Sequence, residues 1–383
     1  MRGSVVKRGK TYSIVFMMED SKTGNRKQKW IGGYKTKKEA EKALSEAIYK
    51  SENGSFINPE SITVSEYLLD WLKVYAEPNL SITTIDGYCV NIKNHINPYI
   101  GNIPIQKLRP INIQELYNQL KLNGRSDGKG GLSGKSILYV HRVLREGLEH
   151  AVRNQLLSRN PASDVKPPTI EKYTAEVFNS EEVCMLLETI KNTEYELPIA
   201  LSAILGLRRG EVLGLKWSNV NLDEQNLNIN NQIIPTSKGI INKKPKSKDS
   251  IRTIPIPSII ISMIKKQQRQ QRENKLRFGA GYKDNNLLCC KIDGSPFSPT
   301  YFTKVFSNIL SEKGFKHIRF HDLRHSAATN MLKSGADIKT VSTILGHSNI
   351  GITLDIYSHV EDSMKRDAID KVQNAIFGKQ VSE

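Results

Sequence analysis

The chain is poor in cysteine, in acidic side chains relative to basic ones, and in long apolar runs. Only four cysteines occur in 383 residues (Cys89, Cys184, Cys289 and Cys290), too few and too scattered for a disulfide framework or a zinc site. A reduced, cytoplasmic compartment is the simplest expectation. No stretch of about 18 uninterrupted apolar residues exists, and the opening MRGSVVKRGK lacks the apolar segment of a signal peptide. A membrane-spanning or secreted protein is therefore not expected. Hydrophobic residues at 38% beside charged residues at 25% describe a soluble, globular chain rather than a disordered one. Its length suggests two or three domains.

The deficit of acid leaves a formal net charge of +17. Such a surplus repels itself and fits either simple solubility or a polyanionic partner, and its distribution favours the partner. The charge is not spread evenly. Residues 1–62 hold thirteen basic against seven acidic side chains, and Lys243–Arg252 (KKPKSKDSIR) carries five basic residues against one acid. Basic clusters in separate segments suit a long polyanion touched at several places, and nucleic acid fits that better than a small acidic ligand.

Thr11–Met18 and Arg26–Tyr34 read as strands joined by a polar turn, followed by helix formers over Lys37–Ile48. Ser51–Ile62 reads as a linker. Residues 63–165 read as all-helical: a first helix capped by Thr63 or Ser65 and ending before Pro78, then Thr83–Ile96, Ile111–Leu122 and Ser133–Asn154. Asn160–Thr169, with three prolines, marks a second boundary. Beyond it the pattern is mixed, with strands at Asn226–Ile234 and Ser250–Ile256 around the basic turn and helices from Ile259 onward. The expected class is multidomain α+β: a small N-terminal module with a three-stranded sheet and one helix (1–60), an all-helical domain (61–168), and a mainly helical domain with a small β-sheet (169–383). Cys289–Cys290 reads as buried strand, His141 and His150 as solvent or backbone contacts with DNA phosphate contact the alternative, and His325 and His359 as packing or surface residues facing away from the motif residues beside them.

Four short segments carry chemistry-bearing side chains: Gly206–Glu211 (GLRRGE), Pro245–Pro255 (PKSKDSIRTIP), His321–His325 (HDLRH) and Leu345–Tyr357 (LGHSNIGITLDIY). Alone, each has an ordinary structural reading: a buried Arg–Glu pair, a solvated lysine turn, a packed tyrosine. In this order, they resemble the tyrosine recombinase (phage integrase) family, whose pattern is Arg, Lys, His-x-x-Arg, a second His or Trp, and a Tyr about ten residues later. Arg208 matches the first arginine with Glu211 in the supporting place, Lys246 the hairpin lysine, His321 and Arg324 the HxxR pair, His347 the second histidine and Tyr357 the nucleophile. The hairpin reads PKSK where PKTK is commoner, so Lys248 is a rival for the lysine role. Leu205 stands where the family often has Thr.

The resemblance extends to the N-terminal and middle modules, which look like the arm-binding and core-binding domains of integrases from Gram-positive phages and conjugative transposons. It implies a site-specific recombinase that cuts and rejoins DNA for integration and excision through a 3′-phosphotyrosine, without metal, ATP or other cofactor. Implied partners are double-stranded DNA of core and arm types at attachment or transposon-end sites, a homo-tetramer on that DNA, and an excisionase and DNA-bending host factors, in a nucleoid-associated, cytoplasmic setting. Arg26, Lys27, Lys29 and Lys248 are candidate DNA contacts, the first three on a groove-reading strand.

The residue types suit these roles on physical grounds. Attack on a phosphodiester builds negative charge on its non-bridging oxygens, and two guanidiniums can clamp them bidentately. Histidines manage protons near neutrality. A phenol has a reference pKa of about 10, so Tyr357 needs a cationic nest to act as nucleophile. The leaving 5′-oxygen needs a proton, which a lysine on a hairpin can supply. Two other readings are a DNA-binding regulator that has lost cleavage and a type IB topoisomerase-like relaxase. The full catalytic set argues against the first, and the N-terminal module and C-terminal tail against the second.

Overall fold

In the computed structural model, residues 3–19, 26–52, 62–170, 176–243, 250–347, 349–351, 353–354 and 372–373 are described. The chain divides into two compact units, 1–172 and 173–383.

The first unit opens with an antiparallel sheet, β1 (Gly3–Arg8), β2 (Thr11–Glu19) and β3 (Arg26–Tyr34), in the order β1-β2-β3. Val5, Ile14 and Ile31 stand in register across it, and α1 (Lys37–Glu52) closes that face through Ala40, Leu44 and Ala47. Because side chains alternate across a strand, Lys29, opposite Phe16, lies on the face that carries α1. Trp30 stands on the other face with the Arg8 guanidinium 4.4 Å from its ring centroid.

The helical part of this unit begins at α2 (Val64–Trp71), where Thr63 and Glu66 form a reciprocal capping box. The expected stop before Pro78 does not occur. The helix runs through a π-helical turn, Leu72–Ala76, into α3 (Glu77–Asn79). The i→i+5 bonding of that turn widens the backbone where a proline ring would otherwise press on the carbonyl four residues back. The same device joins α4 (Ile82–Asn91) through Ile92–Ile96 to α5 (Asn97–Ile100). α6 (Pro110–Asn123) and α7 (Gly134–Arg153) complete the bundle. α7 approaches α2 closely at Gly147, where a Cβ would come within 2.6 Å of Leu68 Cδ2. His141 is not a surface contact: it is buried and shares a 2.7 Å hydrogen bond with the Tyr117 hydroxyl.

The second unit starts with α8 (Ser180–Thr189), boxed by Asn179 and Glu182, then α9 (Glu196–Leu205) and α10 (Arg209–Gly214). α9 (ELPIALSAIL) is apolar almost all round and forms the centre of the core. β4 (Val220–Asn221), β5 (Asn226–Ile229) and β8 (Arg252–Pro255) make one antiparallel sheet; β6 (Gln232–Thr236) and β7 (Gly239–Lys243) make a separate hairpin. The long α11 (Ser258–Phe278) and α12 (Pro299–Glu312) follow, and the Phe297, Phe302, Phe306 and Phe320 rings meet edge to face between them and the core. Cys289 and Cys290 are buried, but in a loop secured by the single bridge Lys216–Leu287 rather than in a strand. α13 (Asp322–Lys333) and α14 (Ile338–Leu345), the latter capped by Asp337, follow. No helix among the described residues is long and apolar enough to cross a membrane.

Candidate active site

The site gathers where α9, α10, α13 and α14 end or begin. α9 terminates at Gly206 in the left-handed region, with φ 68° and ψ 25°. A Cβ there would lie 2.2 Å from Leu345 Cδ2, so glycine serves both the turn and the close approach of α14. Two residues on, Arg208 is the N-cap of α10. Its guanidinium donates to Glu211 Oε1 at 2.8 Å and to the Gly346 carbonyl at 3.0 Å, while its backbone N–H donates to Glu211 Oε2. The side chain keeps about a third of its surface exposed, whereas Glu211 is almost wholly buried.

Arg324, on the first turn of α13, is buried and donates to the carbonyls of Gly206 at 2.8 Å and Leu345 at 2.7 Å. Burial, then the neighbouring charge of Arg208, pushes it down to about 9, which leaves it cationic at neutral pH. The third arginine is Arg252, on β8, which donates to the Ile344 carbonyl at 2.6 Å and to both oxygens of Glu211. Three consecutive carbonyls at the C-terminus of α14 are thus each taken by one arginine. A helix leaves its last carbonyls unpaired and its C-terminus partially negative, so this end is a natural anchor for cations.

Burial acts against the charge of Glu211, but Arg252 and Arg208 outweigh it and hold the carboxyl below its ordinary range. The histidines go the other way for bases. His321, at the N-cap of α13, stays solvent-exposed, yet crowding by protein atoms and the charges of His325 and Arg324 bring it down to about 4. His347 is half-buried and falls to about 3, through burial first and then Arg324 and Arg208. Its Nδ1 shares a 2.9 Å hydrogen bond with the hydroxyl of the buried Thr353. Both imidazoles are neutral at physiological pH. The His325 ring, expected to face away, instead packs edge-on against His321 with centroids 5.3 Å apart.

Of the residues singled out from sequence, Arg208, Arg324 and His347 converge on the end of α14, with His321 one turn from Arg324. Lys246, Lys248 and Tyr357 lie outside the described residues, as does His359. Arg26, Lys27 and Lys29 belong to β3 in the other unit. Arg252 and Thr353 were not singled out, and His325 was read as facing away; only the pairing of β8 with β5 marks Arg252 as pointing inward. In the helical part, Arg142, Arg145 and Arg153 also went unnoticed: they are exposed on one face of α7, beside a groove lined by Tyr75, Tyr88 and Tyr139.

Comparison with known proteins agrees with this architecture. The phage integrase family pattern matches residues 176–364, the phage integrase N-terminal SAM-like domain matches 63–121, and the arm DNA-binding domain matches 4–51. A tyrosine recombinase XerC-like protein of Caldanaerobacter subterraneus subsp. tengcongensis is 31% identical, covering 96% of this chain and 97% of its own. The ICEBs1 integrase of Bacillus subtilis is 23% identical over 74% of this chain and 76% of its own. Among solved structures, the Tn1549 transposon integrase in complex with a circular intermediate DNA has a similar fold, with a TM-score of 0.66 at 19% identity, covering 82% of this chain and all of that one. A lambda integrase dimer bound to a core site gives 0.56 at 17% identity over 77% and 95%. The chain belongs to the tyrosine recombinase (phage integrase) family. It is a site-specific DNA recombinase, an integrase of the kind carried by mobile elements.

Proposed function

We propose that Tyr357 is the nucleophile and that Arg208, Arg324, His321, His347 and Lys246 complete the catalytic set. The observation that carries this reading is the convergence of Arg208, Arg324 and His347 on one helix terminus, where two guanidiniums and neutral imidazoles share one small region. A phosphodiester entering there meets fixed cations before the reaction begins, so charge that develops on the non-bridging oxygens is met without reorganisation. The Tyr357 oxygen attacks phosphorus and forms the 3′-phosphotyrosine as the P–O5′ bond breaks. The phenol proton passes to a neutral imidazole, His321 or His347. Lys246 protonates the departing 5′-oxygen, with Lys248 as the alternative donor. In the second half, a 5′-hydroxyl of the partner strand attacks the phosphotyrosine and frees Tyr357, so the bond energy is conserved.

The same reading gives residues 1–60 to arm-type DNA, 61–168 to one side of the core site and 169–383 to catalysis. Linked modules of this kind gain avidity through effective concentration. The exposed Arg142, Arg145 and Arg153 on α7 suit phosphate contact in the middle module, and Arg8 with Trp30, on the face of the sheet opposite α1, suits it in the first. Work on DNA implies a cytoplasmic protein acting as a homo-tetramer, with an excisionase and DNA-bending factors setting direction.

The test is a suicide-substrate assay with EDTA present, comparing wild type with Tyr357→Phe on nicked DNA of the element's own ends. A covalent band from wild type alone supports the assignment; an adduct retained in Tyr357→Phe removes Tyr357 as nucleophile. A 5′-thio leaving group, which needs no protonation, restores cleavage to whichever of Lys246→Ala and Lys248→Ala has lost the general acid.

A further inference from the structure

Strand β8 alternates buried and exposed side chains at Arg252, Thr253, Ile254 and Pro255. Leu227 and Ile229 of β5 oppose Ile254 and Arg252 respectively. The inward position at 252 would ordinarily hold an apolar residue; it holds a guanidinium that is only 8% exposed. That cation is fully engaged: Nε on the Ile344 carbonyl at 2.6 Å, one terminal nitrogen on Glu211 Oε2 at 3.1 Å, and the other on Glu211 Oε1 at 3.3 Å and the Ser250 carbonyl at 3.2 Å. It is too deeply placed to touch a phosphate.

We propose that Arg252 is a positioning residue for strand cleavage, acting through Glu211 on Arg208 and through Ile344 on the end of α14. The first arm follows from charge. Glu211 Oε1 accepts from both Arg208 and Arg252, and its two oxygens are divided between them. Without Arg252, both oxygens are free to close on Arg208 in the fork geometry that carboxylates and guanidiniums prefer, drawing it away from the scissile phosphate. The second arm follows from connectivity. Ile344 lies three residues before His347, so the bond to its carbonyl fixes the segment from which His347 projects. Lysine cannot replace this pattern, because a single ammonium lacks the planar fork that reaches a carboxylate edge and a carbonyl at once.

This role rests on Arg208 being the phosphate clamp proposed above. The experiment uses the full-length protein with Arg252→Met and Arg252→Lys. DNA affinity by mobility shift, the rate constant and amplitude of single-turnover suicide cleavage, and cleavage of a methylphosphonate substrate are measured together. A methylphosphonate lacks the charged oxygen that Arg208 would meet. Both variants should bind DNA as wild type does and cleave about 10- to 100-fold more slowly, the range typical of losing a partner that orients a reactive group. The amplitude should be preserved, and the gap to wild type should narrow on the methylphosphonate. A loss of amplitude with an unchanged rate constant would mean a misfolded fraction and overturn the proposal, as would a wild-type rate in Arg252→Lys or an equal deficit on both substrates. A wild-type adduct with undiminished cleavage in Arg252→Met refutes the role of Arg252 alone. No adduct from wild type refutes the underlying site assignment as well.

Discussion

Arg208 and Gly346 are joined by a 3.0 Å hydrogen bond between a guanidinium and a backbone carbonyl, across 138 positions of sequence. The bond places a partly exposed cation directly beside the residue that precedes His347. With Arg324 on Leu345 and Arg252 on Ile344, it turns the end of one eight-residue helix into the scaffold of the candidate site.

The two histidines of this scaffold are held neutral by surroundings that an arriving phosphate reverses. His321 sits at about 4 and His347 at about 3 in the free protein. A bound phosphodiester adds negative charge against Arg208 and Arg324, so both values rise. DNA binding near pH 5.5 should therefore take up protons. Calorimetric titrations in two buffers of different ionisation enthalpy read this uptake directly, and His347→Gln should reduce it. Binding heats that are independent of buffer would contradict the arrangement.

Gly206 tests the same scaffold sterically. Gly206→Ala forces a non-glycine residue to φ 68° and sets its Cβ 2.2 Å from Leu345 Cδ2. The left-handed conformation costs about 1–2 kcal/mol and overpacking a further ~1–3 kcal/mol. Denaturant unfolding should show a loss of about 2–5 kcal/mol from these two contributions. Gly239→Ala, at φ 105° with open space around its Cβ, should lose only the backbone share.

How far the sequence foretold this site depends on whether the signal was local. The positions of Arg208, His321, Arg324 and His347 follow a fixed order and spacing, and they converge as that order implies. Arg252 did not stand out, because one arginine at the end of KKPKSKDSIR reads as part of a solvated basic turn; only its pairing with β5 shows that it points inward. Pro78 read as a helix stop because a π-helical turn leaves no mark in the apolar periodicity. His141 read as a surface residue because its partner, Tyr117, is 24 positions away and on another helix. The basic run in β3 gave no sign of face, whereas register puts Lys29 on the side of α1. Tertiary pairing decides the cases of Arg252, His141 and Lys29, and local backbone hydrogen bonding decides that of Pro78.

Glu211 gives a prediction about charge. It is nearly buried between two guanidiniums, and breaking such a pair by removing one member costs about 3–5 kcal/mol. Glu211→Gln should lose stability of that order at pH 7. Because the folded-state carboxyl lies below its ordinary range, its contribution is complete above that range and disappears as pH falls through the lowered value. Urea unfolding of wild type and Glu211→Gln should therefore converge in acid. A gap that stays constant from pH 7 to pH 3 would show that the carboxylate charge contributes nothing.

The helical part of the first unit carries its own acid-sensitive contact, remote in sequence from the candidate catalytic residues. The Tyr117 hydroxyl and His141 Nδ1 lie 2.7 Å apart with both side chains buried. Burial first, then the charges of Arg145 and Arg142, lowers the affinity of His141 for a proton. The unfolded chain binds that proton near pH 6.5 and the folded one only at lower pH. The stabilisation from the neutral ring is therefore complete above about 6.5 and is lost as pH drops toward the lowered value. Tyr117→Phe removes the hydroxyl and leaves a buried ring nitrogen without its partner, at a cost of about 1–3 kcal/mol. Hydrogen exchange across α6 and α7, corrected for the intrinsic pH dependence of amide exchange, should show faster opening in Tyr117→Phe than in wild type at pH 7. Wild-type protection in the same helices should decline between pH 6.5 and 5. Cleavage of a suicide substrate at saturating DNA should be unchanged at pH 7, because neither side chain belongs to the catalytic set. Equal protection in the two proteins would show that the bond does not stabilise the bundle.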